Sequence, residues 1–320
     1  MLTDLPLDQL LTYRSAQTRP DDFVEFWDKT LLAARGYDID VTADLVSTGL
    51  TTIDTYDVSF AGYDGERIRA WLRVPAGARE PLPTVVEYIG YGGGRGHVLE
   101  NLTWASAGFA HLHMDTRGQG SKWSVGHTPD SAASGPQIPG FVTRGIEDPS
   151  TYYYRRLFTD AVRAVDAARA LPQVDVDRIA VYGRSQGGAL TLAVAGLRDD
   201  VRAAAAMVPF LSDFPRSTRI TDAHPYREVA DYLATHRENV AQAHRTLSYF
   251  DAVNMVATAN APALISVALM DAICPPSSVY AAINAYAGPH EVLTWDYNGH
   301  EGGGPVDQER TLKFVREQLG

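Results

Sequence analysis

Apolar and polar positions along this chain change their pattern once. Ile53 to Phe60 and Arg67 to Val74 read as strands, and the Tyr63-Asp64-Gly65 segment between them has the turn chemistry of a hairpin, so the sheet is expected to begin antiparallel. Past Pro83 the pattern becomes short continuous apolar runs alternating with helical periods. The runs are Thr84 to Ile89, Ala110 to Met114, Arg178 to Tyr182, Val201 to Val208, Ala263 to Leu269 and Val292 to Trp295. Continuous runs of this length are strands of a parallel sheet covered on both faces, and helical stretches such as Tyr152 to Ala170 and Gln308 to Leu319 supply the cover.

Two segments stand outside the alternation. Residues 1–32 contain Asp21-Asp22-Phe23-Val24-Glu25-Phe26-Trp27, an acid-capped start with aromatics at i, i+3 and i+4, which predicts an amphipathic helix in an N-terminal extension. The stretch of about residues 212–256 mixes helical, charged and aromatic sequence, including Tyr226, Tyr232 and Tyr249, and is too long for a plain connection. It is expected to be a helical cap; a merely decorative insertion is the alternative. No internal repeat or low-complexity linker divides the 320 residues, so the expectation is one α/β domain, 1–320, with these decorations.

Composition narrows the classes. With 45% hydrophobic and 21% charged residues the chain is that of an ordinary globular protein. Its net charge of −11 repels phosphate backbones and anionic headgroups, which argues against nucleic acid and membrane partners. Acidic residues occupy the N-terminus where a signal peptide needs a basic region, and no apolar run reaches membrane-spanning length, so a cytoplasmic location is expected. The only cysteine, Cys274, cannot form an intrachain disulfide; ahead of Pro275-Pro276 it reads as a buried small hydrophobe rather than a nucleophile.

The chemistry centres on Arg178 to Leu190, a strand followed by Gly183-Arg184-Ser185-Gln186-Gly187 and a helix rich in Ala and Leu. G-x-S-x-G alone is common by chance. Between a strand and a helix it is the nucleophile elbow of the α/β-hydrolase fold: the glycines permit a sharp turn that presents the Ser185 hydroxyl above a helix N-terminus. Serine is a weak nucleophile at neutral pH and needs a base, and in this fold the order is Ser, then Asp or Glu, then His. His300, in the loop Asn298 to Gly304 after the last strand, is the expected base, whereas His290 precedes that strand and emerges at the wrong edge. Asp271, just after the run Ala263 to Leu269, is the expected orienting acid, with Asp296 as runner-up.

Acyl transfer also needs two donors for the oxyanion. The Gln186 amide follows the nucleophile, and the Tyr91 amide lies in Gly90 to Gly96 after an early strand, where the second donor belongs; the Tyr91 ring is a candidate wall of the acyl pocket. That glycine cluster lacks the register of a nucleotide loop, so it implies no cofactor. His111 and His113 share one face of a strand without an apparent third ligand and read as core or supporting histidines, not a metal site.

With these residues in hand, the chain resembles the acetyl xylan esterase and cephalosporin-C deacetylase family of carbohydrate esterases. The resemblance runs nearly end to end: Asp4-Leu5-Pro6-Leu7, Phe26-Trp27, Gly90-Tyr91-Gly92-Gly93, Asp115 to Gly120, Gly140 to Ile146, Tyr152 to Arg156, the serine elbow, Met270 to Pro276 and His300-Glu301. Arg117-Gly118-Gln119 with the elbow and the His-Glu pair forms the family's three-part signature. The resemblance implies an α/β-hydrolase with Ser185, Asp271 and His300 as triad, Tyr91 and Gln186 as oxyanion donors, and the Arg117 motif as support. It further implies a hexamer that needs no metal and removes acetyl groups from short xylo-oligosaccharides and cephalosporin C. A peptidase or thioesterase on the same triad, and a silent binding protein on this scaffold, are the competing readings.

Overall fold

Continuous apolar strands must be covered on both sides, and the sheet is built accordingly. A computed structural model describes residues 2, 4–130, 137 and 139–320; residues 1 and 3 of the expected N-terminal extension lie outside the described residues. Nine strands among the described residues form one sheet: β1 Thr42–Val46, β2 Ile53–Ala61, β3 Arg67–Pro75, β4 Leu82–Tyr88, β5 Ala110–Met114, β6 Val174–Arg184, β7 Ala203–Met207, β8 Ala263–Ala268 and β9 His290–Trp295. Their order is β1-β2-β3-β5-β4-β6-β7-β8-β9. The pairs β1/β2, β2/β3 and β3/β5 are antiparallel and all later pairs parallel, so the antiparallel start predicted from the hairpin is present.

Strand β1 has no counterpart in the expected set. It is a sheet edge whose residues are exposed apart from the half-buried Val46, so no apolar face marks it in the sequence. The small side chains of β7, Ala203 to Ala206, alternate between two buried clusters: Ala204 and Ala206 face the helices Tyr153–Arg169 and Gln186–Leu197, while Ala203, Ala205 and Met207 face Phe314, Val315 and Leu319 of the final helix Pro305–Leu319. Gln186–Leu197 is buried nearly all round, as its Ala- and Leu-rich sequence requires.

The expected N-terminal helix spans Phe23–Arg35. Its acid does not cap it: the Asp22 carboxylate makes no bond to the helix amides and instead accepts a hydrogen bond from the Tyr249 hydroxyl. Phe23 and Trp27 are buried, and the Trp27 indole donates to the Tyr249 carbonyl at 3.0 Å. Between β7 and β8, where a cap is expected, lie the helices Phe214–Ile220, Tyr226–Thr235 and Val240–Ser248. No helix among the described residues is long and apolar enough to cross a membrane.

One buried ion cluster ties the antiparallel and parallel parts together. Arg117, fully buried in the turn after β5, makes a bidentate pair with Asp160 of the helix Tyr153–Arg169 and also bonds Glu66 ahead of β3. Asp160 accepts the Tyr63 amide at 2.8 Å as well. Burial pushes the Asp160 carboxyl upward, so its charge depends on this partner. Arg117→Met therefore destabilises the protein by about 3–5 kcal/mol, the usual effect of stranding one buried charge. Urea unfolding checks this as a lower midpoint at unchanged slope. The double variant Arg117→Met/Asp160→Leu is expected to recover part of the loss.

Candidate active site

The elbow works by close approach. Ser185 joins β6 to the helix Gln186–Leu197 with φ 55° and ψ −118°. Its amide donates to the Met207 carbonyl at 2.9 Å, and its carbonyl accepts the amides of Ala189 and Phe210, both at 3.0 Å. A Cβ on Gly187 would stand 2.1 Å from the Tyr88 carbonyl oxygen, and one on Gly183 would stand 2.4 Å from the Gly187 carbonyl group. Neither position admits a side chain, as the sharpness of the motif predicts.

The other two members arrive from the loops after β8 and β9. His300 Nδ1 lies 2.8 Å from Asp271 Oδ2. The second oxygen of Asp271 accepts the amides of Ile273 at 2.8 Å and Cys274 at 2.9 Å, which fixes the carboxylate and offsets the cost of burying its charge. Asp271 is buried and His300 about a quarter exposed, so the imidazole is supported from behind and open in front. The alternatives fall away by position. His290 begins β9 at the opposite edge with its ring on the Gly288 carbonyl, and Asp296 is exposed while Asp271 holds the imidazole.

Cys274 is buried, as expected, and it stands beside His300. Its thiol lies within hydrogen-bond reach of Ser185, and its sulfur, an Asp271 oxygen and a His300 ring nitrogen all fall within 4.8 Å of one another. Burial, reinforced by the Asp271 charge, pushes the thiol well above its ordinary range, so it stays protonated. The carboxylate is already committed to the imidazole and two amides. A protonated thiol and a carboxylate already bonded are a poor donor set for a metal ion. No Ser185–His300 hydrogen bond forms among the described residues; such catalytic pairs are commonly loose until substrate binds.

The two expected oxyanion donors flank Ser185. Neither the Tyr91 nor the Gln186 amide meets a protein acceptor among the described residues. A Cβ at Gly90 would be 3.9 Å from Ser185 Cβ, which places the Tyr91 loop against the serine. A buried amide network holds both donors. Gln119 Oε1 accepts the Gly92 amide at 2.7 Å, while Gln119 Nε2 donates to Gln186 Oε1 at 2.9 Å and to the Tyr153 hydroxyl at 3.0 Å. Gln186 Nε2 donates to the Ile89 carbonyl at 3.1 Å. The support expected of the Arg117 motif therefore has a mechanism: Arg117 anchors the turn and Gln119 aims the donors.

Three further groups lie around the site. Arg184 donates to the carbonyls of His300 at 2.9 Å and Glu301 at 2.7 Å, and pairs with Asp307 at 3.5 Å, so the residue before the nucleophile grips the histidine loop. The Tyr91 ring, expected as a pocket wall, is buried edge-on against Phe141 and Phe210. Its hydroxyl lies 2.7 Å from Glu228 Oε2 in the helix Tyr226–Thr235 and accepts the amides of Gly140 at 3.0 Å and Phe141 at 2.9 Å. Burial and then the Glu228 charge raise the phenol, so it remains a donor. His111 and His113 are buried, with Glu87 2.8 Å from His111 Nε2. Burial pushes His113 down to about 3, so it is neutral.

A family model described as acetyl xylan esterase matches residues 1–318. Acetyl esterase Axe7A of Xylanibacter ruminicola is 28% identical over 289 residues, 88% of this chain and 63% of that protein, so the chain spans less than two thirds of that curated relative. An acetyl xylan esterase from a Paenibacillus species superposes with a TM-score of 0.91 at 41% identity, over 98% of this chain and 100% of the other. Acetyl xylan esterase 1 from a Thermoanaerobacterium species does so with a TM-score of 0.90 at 30% identity, over 99% and 100%.

The Tyr91 tether yields a test. Tyr91→Phe keeps the amide but frees its loop, so kcat on p-nitrophenyl acetate is expected to fall by roughly 10- to 100-fold with little change in KM, the usual effect of a small misplacement. Glu228→Gln retains an acceptor for the phenol and is expected to lose less. Steady-state kinetics on the two variants checks the order.

Proposed function

The chain belongs to the acetyl xylan esterase family, and on that premise we propose that it is a serine esterase removing acetyl groups from short acetylated xylo-oligosaccharides and related small esters, including cephalosporin C. The observation that carries the reading is the 2.8 Å bond from His300 Nδ1 to buried Asp271, set behind a serine on a strand-to-helix elbow.

In the proposed cycle Ser185 Oγ attacks the ester carbonyl as the free nitrogen of His300 takes its proton, and Asp271 stabilises the imidazolium. The tetrahedral oxyanion accepts hydrogen bonds from the Tyr91 and Gln186 amides, with the helix N-terminus beneath adding favourable partial charge. Collapse returns the proton to the departing sugar oxygen. Water, deprotonated by His300, then attacks the acetyl-serine, and acetate leaves as His300 returns that proton to Ser185 Oγ. The cycle balances its protons and electrons without a cofactor. The same reading takes the helical insertion between β7 and β8 as a cap, assigns a homo-oligomer, a hexamer by resemblance, and places the enzyme in the cytoplasm, acting on imported acetylated sugars or an acetylated antibiotic.

Acetate release from acetylated xylo-oligosaccharides, other acetylated sugars and cephalosporin C, as kcat/KM for each, tests the proposal. Ser185→Ala is expected to lower kcat by roughly 10⁴- to 10⁶-fold with an unchanged unfolding transition. Among p-nitrophenyl esters the acetyl compound is expected to be preferred. A preference for long acyl chains, or cleavage of a peptide amide, overturns the deacetylase assignment.

A further inference from the structure

A cavity of about 680 Å³ opens beside the elbow and shares with it the wall Ile89-Gly90 and the side chain of Arg184. Its volume is that of a small-molecule site. The hydrolytic steps use little of its lining. At the rim stands Trp123, 61% exposed, whose indole N–H donates to the Tyr91 carbonyl at 2.9 Å. A Cβ on Gly90 would lie 3.5 Å from the Trp123 ring and 3.9 Å from Ser185 Cβ, so the indole and the nucleophile face each other across one residue. A large aromatic left in water at that place, held by its edge, offers a flat apolar surface next to the scissile bond.

The rest of the lining has a matching chemistry. Trp104 and Tyr182 add apolar walls, and Glu100, Asn101 and Gln308 add planar polar groups. These groups have bonding capacity to spare. Glu100 Oε2 accepts the His97 amide at 3.0 Å, the Asn101 amide nitrogen stands 3.5 Å from His113, and the Gln308 side chain makes no hydrogen bond among the described residues. A pyranose presents an apolar C–H face and a rim of hydroxyls, which such aromatic faces and planar amide or carboxylate groups complement. The charge adds selectivity: Glu87, Glu100 and Asp307 line the cavity, Arg184 pairs with Asp307, and the buried Arg73 faces Glu87 and Glu100 from behind, which leaves one carboxylate in excess. An anionic ligand is repelled and a neutral polyol is not.

We propose that this cavity seats a neutral sugar ring of the substrate, with Trp123 as the stacking face and Glu100, Asn101 and Gln308 as hydroxyl partners, and that its acidity disfavours uronic acid substituents. The proposal rests on the esterase reading and extends it to the alcohol side of the ester.

Calorimetric titration of the Ser185→Ala protein with unacetylated xylotriose tests it. Xylotriose is expected to bind, and Asn101→Gly, which keeps the left-handed backbone of that position (φ 55°), and Gln308→Ala, at an exposed helix position, are each expected to weaken binding about three- to tenfold, the size of one lost hydrogen bond. Trp123→Ala is expected to weaken it further. Xylotriose bearing a glucuronosyl group is expected to bind at least about fivefold more weakly, with Glu100→Gln narrowing the gap. Absence of xylotriose binding, or unchanged affinity in the Asn101 and Gln308 variants, overturns the subsite. Acetate release from acetylated xylotriose by the unaltered protein is measured alongside. Release with unaltered binding in the variants sinks the subsite alone, whereas no release sinks the esterase reading, and the xylotriose titration judges the cavity in either case.

Discussion

The backbone of Ser185, at φ 55° and ψ −118°, is the constraint to which the rest of the site answers. A non-glycine residue in so sparse a region costs about 1–3 kcal/mol and persists only where its surroundings leave no alternative. Here the sheet takes the serine amide through Met207, the helix takes its carbonyl through Ala189, and the segment after β7 takes the same carbonyl through Phe210. The helix can come this near only because Gly187 lies against the Tyr88 carbonyl. The strain buys exposure of one hydroxyl at the end of a strand, with a helix N-terminus under it.

A strained nucleophile is useful only if its partners are equally fixed, and they come from remote parts of the chain. The buried Gln119 carboxamide joins three of them: its oxygen holds the Tyr91 loop through Gly92, and its nitrogen holds Gln186 and Tyr153. Buried amides with all their capacity used are rigid, because any movement leaves a polar group unpaired at about 1–3 kcal/mol. Arg184 does the same for the histidine loop from the other side of the serine. The elbow thus carries its own braces: the residue before Ser185 grips the His300 loop, and the residue after it is locked through Gln119 to the Tyr91 loop.

What could be read from the chain alone follows from where the information lies. The elbow, the strand edges and the order of Ser185, Asp271 and His300 are local: each is a short pattern at the end of an apolar run. Strand β1 escaped because an exposed edge has no buried face to betray it. The Asp22 cap failed because a tertiary partner, Tyr249, captured the carboxylate that local chemistry assigned to the helix. The bonds Gln119–Gln186, Tyr91–Glu228 and Arg184–His300 span 67, 137 and 116 positions. A single sequence states each residue but not the pairing, and only the crossing of the sheet brings the partners together. Cys274 shows the same gap: its burial was legible, its place beside His300 was not.

That cysteine raises the question of why, in the proposed cycle, oxygen rather than sulfur attacks, since a thiol is intrinsically the better nucleophile and this one lies near the same histidine. Three differences decide it. The thiol is fully buried whereas Ser185 is partly open, so substrate can reach only the oxygen. Forming a thiolate would set a second negative charge beside Asp271 without solvent, which is why burial and that carboxylate hold the sulfur protonated. In that proposed cycle the negative charge instead develops on the substrate oxygen, toward the unbonded Tyr91 and Gln186 amides and the start of the helix. On the proposed reading, access and the placement of donors, not intrinsic reactivity, select the nucleophile, and both are consequences of the strained turn that presents Ser185.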